Sequence, residues 1–304
     1  IVISVLREQK IIKETVEFFS KLKYPKLHFL IVTTEKEFEK KDKITTINIL
    51  NKIKNKYPKL MVIHLPNKDG LKSDQMNYAI ENFNKIFPKL NPNNTFFAFY
   101  DADSRPNKDI LNIFNKVYKI NKNANVFQQS ANYLANFYDF DNKNFFEKYF
   151  LKAQALKQTR FCLAYEVPRI LRTYDYSSGK NKSLFNKSVY APTIGHGLFV
   201  RVSYLKKVKF PSKYTPEDMF WGFIVLSTNE PIVFIPSLDN SETPDSIKKV
   251  FFQLASWFKG PALVLRYKKY AKEHYKQFDS TRANFMSFFA LCDSGTWLMT
   301  SFIV

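Results

Sequence analysis

Thr95-Phe96-Phe97-Ala98-Phe99-Tyr100-Asp101-Ala102-Asp103 is the stretch on which the reading of this chain turns. Thr95 to Tyr100 is a short uncharged run rich in aromatic residues, the pattern of a buried strand. It breaks directly into a loop with two carboxylates two residues apart, so both can reach one divalent cation. A hard cation such as Mg²⁺ or Mn²⁺ takes oxygen ligands, often one or two carboxylates plus the oxygens of a substrate diphosphate. The competing explanation is that turns after strands are rich in Asp for capping reasons alone.

Upstream of this stretch, short β-branched runs alternate with helical patterns, which predicts α/β architecture around a mostly parallel sheet. The predicted strands are Ile1 to Leu6, Leu27 to Thr33, Leu60 to Leu65 and Thr95 to Tyr100. The predicted helices between them run from about Glu8 to Leu22, Thr45 to Lys56 and Lys72 to Phe87. In open α/β sheets ligands collect beyond the carboxyl ends of the strands, and Asp101 and Asp103 fall there. Downstream, a helix (Asn107 to Ile120) and a strand (Asn125 to Tyr133) precede a long aromatic-rich helix from about Asn142 to Leu163. The polar stretch Tyr174 to Ser188 is expected to be a mobile surface loop. No internal repeat is visible.

With 304 residues, 45% hydrophobic and 24% charged, the chain has the composition of a folded globular protein, which excludes disordered, collagen-like and disulfide-rich classes. Lys and Arg number 47 against 27 Asp and Glu, a formal charge of +20. That balance favours phosphate-bearing ligands, anionic lipid or nucleic acid. No Arg-Gly repeat or compact basic run argues for nucleic acid, and biased codon usage is the plain alternative. Cys162 and Cys292 have no metal-ligand spacing, so no structural zinc is expected. The chain opens at Ile1 directly as a strand and is expected to be a segment of a longer protein. Phe285 to Val304 is mostly apolar, with Asp293 as its sole charge, and is expected to approach or lie on a membrane, or else to be a buried terminal helix.

Three further motifs bear on chemistry. In Pro216-Glu217-Asp218-Met219-Phe220-Trp221-Gly222, adjacent acids open a helix; the helix dipole alone favours acids there, but Asp218 is also placed as a general base, with Glu217 as an orienting carboxylate. In Thr193-Ile194-Gly195-His196-Gly197-Leu198-Phe199, two of only 7 glycines flank a histidine. This predicts close backbone approach at a strand start, with His196 aimed into the cleft. Gln253 and Trp257, four residues apart, share one helix face, where Trp offers a flat platform for a sugar ring or base, or simply fills the core.

Taken in order, these segments resemble the inverting glycosyltransferase family 2 with its GT-A fold, and especially its processive membrane polysaccharide-synthase branch. Val2 to Glu8 resembles the family's opening strand with its arginine and acid, and Lys72-Ser73-Asp74-Gln75-Met76-Asn77-Tyr78-Ala79 its K-x-x-x-x-N-x-A helix. Asp101-Ala102-Asp103 with Arg105-Pro106 is similar to the D-A-D/E-x-x-P segment, Glu217-Asp218 to the E-D pair, and Gln253 to Trp257 to the Q-x-x-R-W helix.

The resemblance implies a Rossmann-like, mostly parallel central sheet flanked by helices, with C-terminal acceptor-side helices. It implies a nucleotide-sugar-binding half over residues 1–135, an acceptor and catalytic half over 136–260, and a membrane-proximal helical segment over 261–304. Asp101 and Asp103 would hold Mg²⁺ or Mn²⁺. Arg7, Glu8, Glu35, Lys72 and Asn77 would line the donor pocket with Asp101, and Gly195, His196, Gly197, Gln253 and Trp257 would face a glycan or lipid-linked acceptor. Asp218 would be the base, the donor a UDP-sugar, and the location the cytoplasmic side of a membrane.

Two departures matter. Ser256 stands where the pattern has Arg, removing a cation near the diphosphate, with Lys259 or Arg266 as replacements. Thr33-Thr34-Glu35-Lys36-Glu37 offers Glu35 where an acid that contacts the base would stand. A single-sugar transferase, a non-catalytic sugar-binding relative and a basic nucleic-acid-binding protein are the rival readings.

Overall fold

The structure, a computed structural model, describes residues 1–40, 44–212, 214 and 216–303, with the backbone alone for 297, 298 and 300–303. Strand β1 (Val2–Ser4) is followed by α1 (Ile12–Ser20), β2 (Phe29–Thr34), α2 (Thr46–Ile53), β3 (Leu60–Leu65) and α3 (Lys72–Glu81). In α1 the residues Ile12, Thr15, Val16 and Phe19 are buried, the spacing of one helical face. α2 starts where Thr45 and Asn48 form a reciprocal capping box. α3 stops short of the expected Phe87, because Asn82 turns its side-chain amide onto the Tyr78 carbonyl at 2.9 Å. A short α4 (Phe83–Ile86) then resumes.

β1, β2 and β3 pair in parallel, and β4 (Phe96–Tyr100) pairs with β1 on its other side, Ile3 opposite Tyr100. The order β3-β2-β1-β4 therefore reverses direction between β1 and β4. Such a switch point leaves a crevice beyond the carboxyl ends of those strands. β2 is buried along its whole length, as a parallel strand covered on both faces should be. Its residues divide by alternation: Leu30 and Val32 join one core, and Phe29 and Ile31 the other.

The remaining elements are β5 (Arg105–Pro106), α5 (Ile110–Ile120), β6 (Val126–Asn132), α6 (Phe145–Phe161), α7 (Val167–Ser177), α8 (Leu184–Ser188), β7 (Leu198–Arg201), α9 (Val202–Leu205), α10 (Glu217–Ser227), β8 (Ile232–Asn240), α11 (Ile247–Ala262), α12 (Val264–His274) and α13 (Ser280–Ile303). They extend the sheet to eight strands in the order β3-β2-β1-β4-β7-β6-β8-β5. β7 runs antiparallel to both β4 and β6, β6 and β8 are parallel, and β5 is antiparallel to β8. The mostly parallel sheet expected from the sequence is present, with β5 and β7 running against the rest.

One expectation is corrected, and for the C-terminal stretch the packing is that of the buried-helix alternative. Tyr174 to Ser188 is not a mobile loop: α7 continues to Ser177, Gly179 turns the chain at φ +83°, and Ser183 caps α8. Its aromatic residues override its polar composition, since Tyr176 is buried and the Tyr174 hydroxyl donates to Asn121 at 2.7 Å. The apolar C-terminal stretch is helical, but no helix among the described residues is long and apolar enough to cross a membrane. Ala283, Met286 and Ala290 of α13 are buried in the core that also holds α10 and α12, so this helix packs on the protein; Val304 lies outside the described residues.

Candidate active site

Four segments meet in the crevice beyond β1 and β4. Lys72, the first residue of α3, donates its ammonium to the Asp101 carboxylate and, at 3.4 Å, to the Gly195 carbonyl. A Cβ on Gly195 would lie 3.0 Å from Asp218 Oδ2 and 3.1 Å from Lys72 Nζ. Only glycine therefore lets the 193–197 segment pass between the lysine and the acid, which is the close approach the sequence suggested. The Thr193 hydroxyl donates to the Asp218 carbonyl at 2.6 Å, tying that segment to the first turn of α10.

The loop after β4 is held by its backbone, which leaves its carboxylates to face outward. The Asp101 N–H donates to Ser104 Oγ at 3.2 Å, and the Ala102 carbonyl accepts from Arg105 at 3.0 Å and from the Thr15 hydroxyl. Asp101 and Asp103 line a cavity of about 540 Å³ together with Glu8, Lys36, Gly70 and Lys72.

Electrostatics divide these groups. Burial would raise the Asp101 carboxyl, but Lys72 and His196 outweigh it and hold it below the usual carboxylate range. Burial and the charge of Asp101 push Asp103 up to about 6. Burial, then Asp103 and Asp101, push Glu8 up to about 7. Burial lowers the Lys72 ammonium, yet Asp101, Glu217 and Asp218 together raise it above the ordinary lysine value. Asp218 is lifted to about 7 by burial and by its neighbour Glu217. A carboxylate poised there suits a general base at neutral pH.

His196 is buried rather than open to the cleft. Its Nδ1 pairs with Asp239 at 2.9 Å, and its ring stands edge-on to Tyr133. Burial pulls its pKa down, but the Asp239 hydrogen bond outweighs that and lifts it to about 9, so its charge acts on Asp101 and Asp103 from behind. Gly197 has φ +64°, and a Cβ there would meet the Gln129 side chain at 2.8 Å. Trp257 packs against Tyr133, and neither it nor Gln253 lines the cavity beside Asp103.

Three expected donor residues sit elsewhere. Arg7, in a left-handed conformation at φ 62°, donates to the Lys36 carbonyl at 2.9 Å and pairs with Glu39; Lys36, not Arg7, reaches the cavity. Glu35 accepts from His64 Nε2 at 2.8 Å and is absent from the cavity wall. The Asn77 amide is taken up by the Phe210 backbone, donating to its carbonyl at 2.8 Å and accepting its N–H at 3.0 Å. In each case a nearer polar partner claims the side chain.

Several residues that organise the site escaped the sequence reading. Gln75 Nε2 donates to the Val5 and Val32 carbonyls at 3.0 and 2.7 Å, stitching the ends of β1 and β2. Gln128 accepts the Ile194 N–H and donates to the His196 carbonyl, both at 3.0 Å, fixing the glycine-flanked segment. Asp239 is buried and Glu242 lines the cavity. Only a polar residue interrupting an apolar strand, as at Gln128, was available as a signal.

No protein family matches the sequence, and no curated protein does. Solved structures do resemble the fold. The mannosyltransferase PcManGT from Pyrobaculum calidifontis, in complex with GDP-Man and Mn²⁺, superposes with a TM-score of 0.56 at 12% identity over 100% of this chain and 74% of that one. A TarS fragment from S. aureus in complex with UDP-GlcNAc gives 0.52 at 14% identity over 95% and 70%. The chain thus has the mixed α/β fold of these glycosyltransferases, with a central eight-stranded sheet flanked by helices.

Proposed function

We propose that this protein is an inverting glycosyltransferase that moves a sugar from a nucleotide-sugar donor to a glycan or lipid-linked acceptor. The observation that carries the reading is the convergence of Asp101, Lys72, Gly195 and Asp218 in one crevice at the switch point of the sheet. The fold shared with two nucleotide-sugar-bound transferases supports it. The crowded acids also fit a divalent cation. Among the described residues no three His, Cys, Asp or Glu side chains form a closed metal site. A pair of carboxylates, Asp101 and Asp103, suits Mg²⁺ or Mn²⁺ completed by diphosphate oxygens, and the raised Asp103 signals charge that a cation would relieve. When bound, that ion supplies Lewis-acid neutralisation of the leaving diphosphate.

In this mechanism Asp218 takes the proton of the acceptor hydroxyl as that oxygen attacks the anomeric carbon, and the C–O bond to the nucleoside diphosphate breaks on the opposite face. Lys72 places a positive charge beside Asp101 and the departing group. The Gly195 backbone keeps the acceptor side in register with the base. Glu35 is engaged with His64, so base recognition falls to other groups; UDP-sugars remain the first donors to test, followed by GDP-sugars. Ser256 in place of a cation favours single transfer over processive synthesis.

The decisive experiment measures nucleotide release from UDP- and GDP-sugars with Mn²⁺ or Mg²⁺, for the wild type, Asp103→Ala and Asp218→Asn. Metal-dependent release from one donor, lost in both variants, supports the reading. Absence of release from every donor would leave a fold reused for binding.

A further inference from the structure

The long helix α6 carries an apolar stripe that nothing among the described residues covers. Phe145, Phe146, Tyr149, Leu156 and Leu163 are all exposed along it and its π-helical continuation, Phe145 by 80%. These positions follow helical spacing, while Leu151 and Ala155 on the opposite side are buried against Val250 of α11. α11 extends the same surface: Phe251 and Phe252 are 61% and 67% exposed, and Phe251 lies 6.3 Å from Phe150, which stacks on Phe146.

Exposed aromatic area of this extent marks an interaction surface. Its charge indicates the partner. From Lys143 to Leu163 the cations Lys143, Lys157 and Arg160 are exposed and the one carboxylate is Glu147, while Lys148 and Lys152 both pair with Asp141 just upstream. A helix with aromatic residues on one face and Lys/Arg beside them is the pattern that lies in the plane of an anionic bilayer. The formal charge of +20 acts in the same direction.

We propose that the α6–α11 face docks this protein onto an anionic lipid surface through Phe145, Phe146, Tyr149, Phe251 and Phe252. The inference deepens the transferase reading, on which its choice of a lipid-borne acceptor rests. α11 joins the two sites, for its other face carries Trp257, which packs on Tyr133 and through it on His196. The docked face differs in location from the C-terminal stretch to which hydropathy pointed.

The test is vesicle flotation at physiological salt with phosphatidylglycerol-containing and phosphatidylcholine-only vesicles. Wild type, Asp103→Ala and the combined variant Phe145→Ser, Phe146→Ser, Phe251→Ser, Phe252→Ser are compared, with thermal unfolding confirming that each is folded. Binding of wild type and Asp103→Ala to the anionic vesicles, reduced roughly tenfold or more in the combined variant, is expected. A fallback pair, Phe145→Ser alone and Phe252→Ser alone, applies if the combined variant does not fold, each expected to weaken binding.

Failure of the wild type to bind, or equal binding by the Phe variants, would overturn the proposal. So would a wild-type dimer, detected by light scattering, that the substitutions dissolve, since that would assign the face to a second copy. Vesicle binding does not require turnover, so failure here and failure of donor cleavage are separate outcomes.

Discussion

On the wall of the crevice built from β1, β4 and α3, the carboxylates Glu8, Asp101 and Asp103 share one cavity with Lys72, which pairs with Asp101 alone among them, and the other two are pushed up toward neutrality. On the wall built from β7 and β8, the buried His196 is answered by the buried Asp239, with Ser241 donating to the same carboxylate oxygen at 3.2 Å. The first wall is short of positive charge, and the second is internally paired. Uncompensated charge facing a cavity is where a ligand is expected, whereas a paired buried charge mainly holds the structure together. Substitutions on the reacting groups should therefore cost rate, and substitutions behind them should cost stability.

The largest expected effect is that of Asp218→Asn, which should lower donor turnover by roughly 10²- to 10⁴-fold while leaving the unfolding midpoint almost unchanged. Steady-state nucleotide release and a thermal scan of the same preparation check both halves. His196→Ala should act in the opposite sense, costing about 3–5 kcal/mol in denaturant unfolding because Asp239 is left charged and unpaired in the interior. If its stability were unchanged, the distinction between the two walls would collapse.

Mn²⁺ should then stabilise the wild type, by about 2.7 kcal/mol at a hundredfold excess over its dissociation constant, and not Asp103→Ala. Calorimetry with and without the ion reads this without any turnover. Gly222→Ala sharpens the comparison from the interior, since its Cβ would fall 2.6 Å from the Thr193 backbone nitrogen, too close for α10 to keep its seat. A loss of about 1–3 kcal/mol is expected, together with weakened turnover because Thr193 also holds the Asp218 carbonyl.

The last effect is one of pH. His196 has a folded pKa of about 9 against an ordinary 6.5, so the folded state binds the proton more tightly than the unfolded chain. Its contribution is complete below about 6.5 and is lost as pH rises through about 9. Unfolding midpoints across that window should fall in the wild type more than in His196→Ala.

Much of this was legible in the chain. Leu60–Leu65 was bounded correctly at both ends, and the strand breaking at Asp101 was located to within a residue. The meeting of Lys72, Asp101, Gly195 and Asp218 was anticipated as a set of motifs in order, though the lysine–carboxylate contact itself was not. The partners that Glu35 and Asn77 take were not legible, because His64 and Phe210 stand 29 and 133 residues away.

Hydrophobic alternation, helical spacing and the points where apolar runs break into acids or glycines are local properties. From them the sequence by itself determined the βαβ character of the first half and the carboxylates at its strand ends. Tertiary structure alone decided the insertion of β7 between β4 and β6, the burial of His196 on Asp239, and the α6 face that packing left bare. Those depend on which distant partner a segment meets, and the energy of a strand pair or a buried ion pair lies in that meeting, with no periodicity along the chain to announce it.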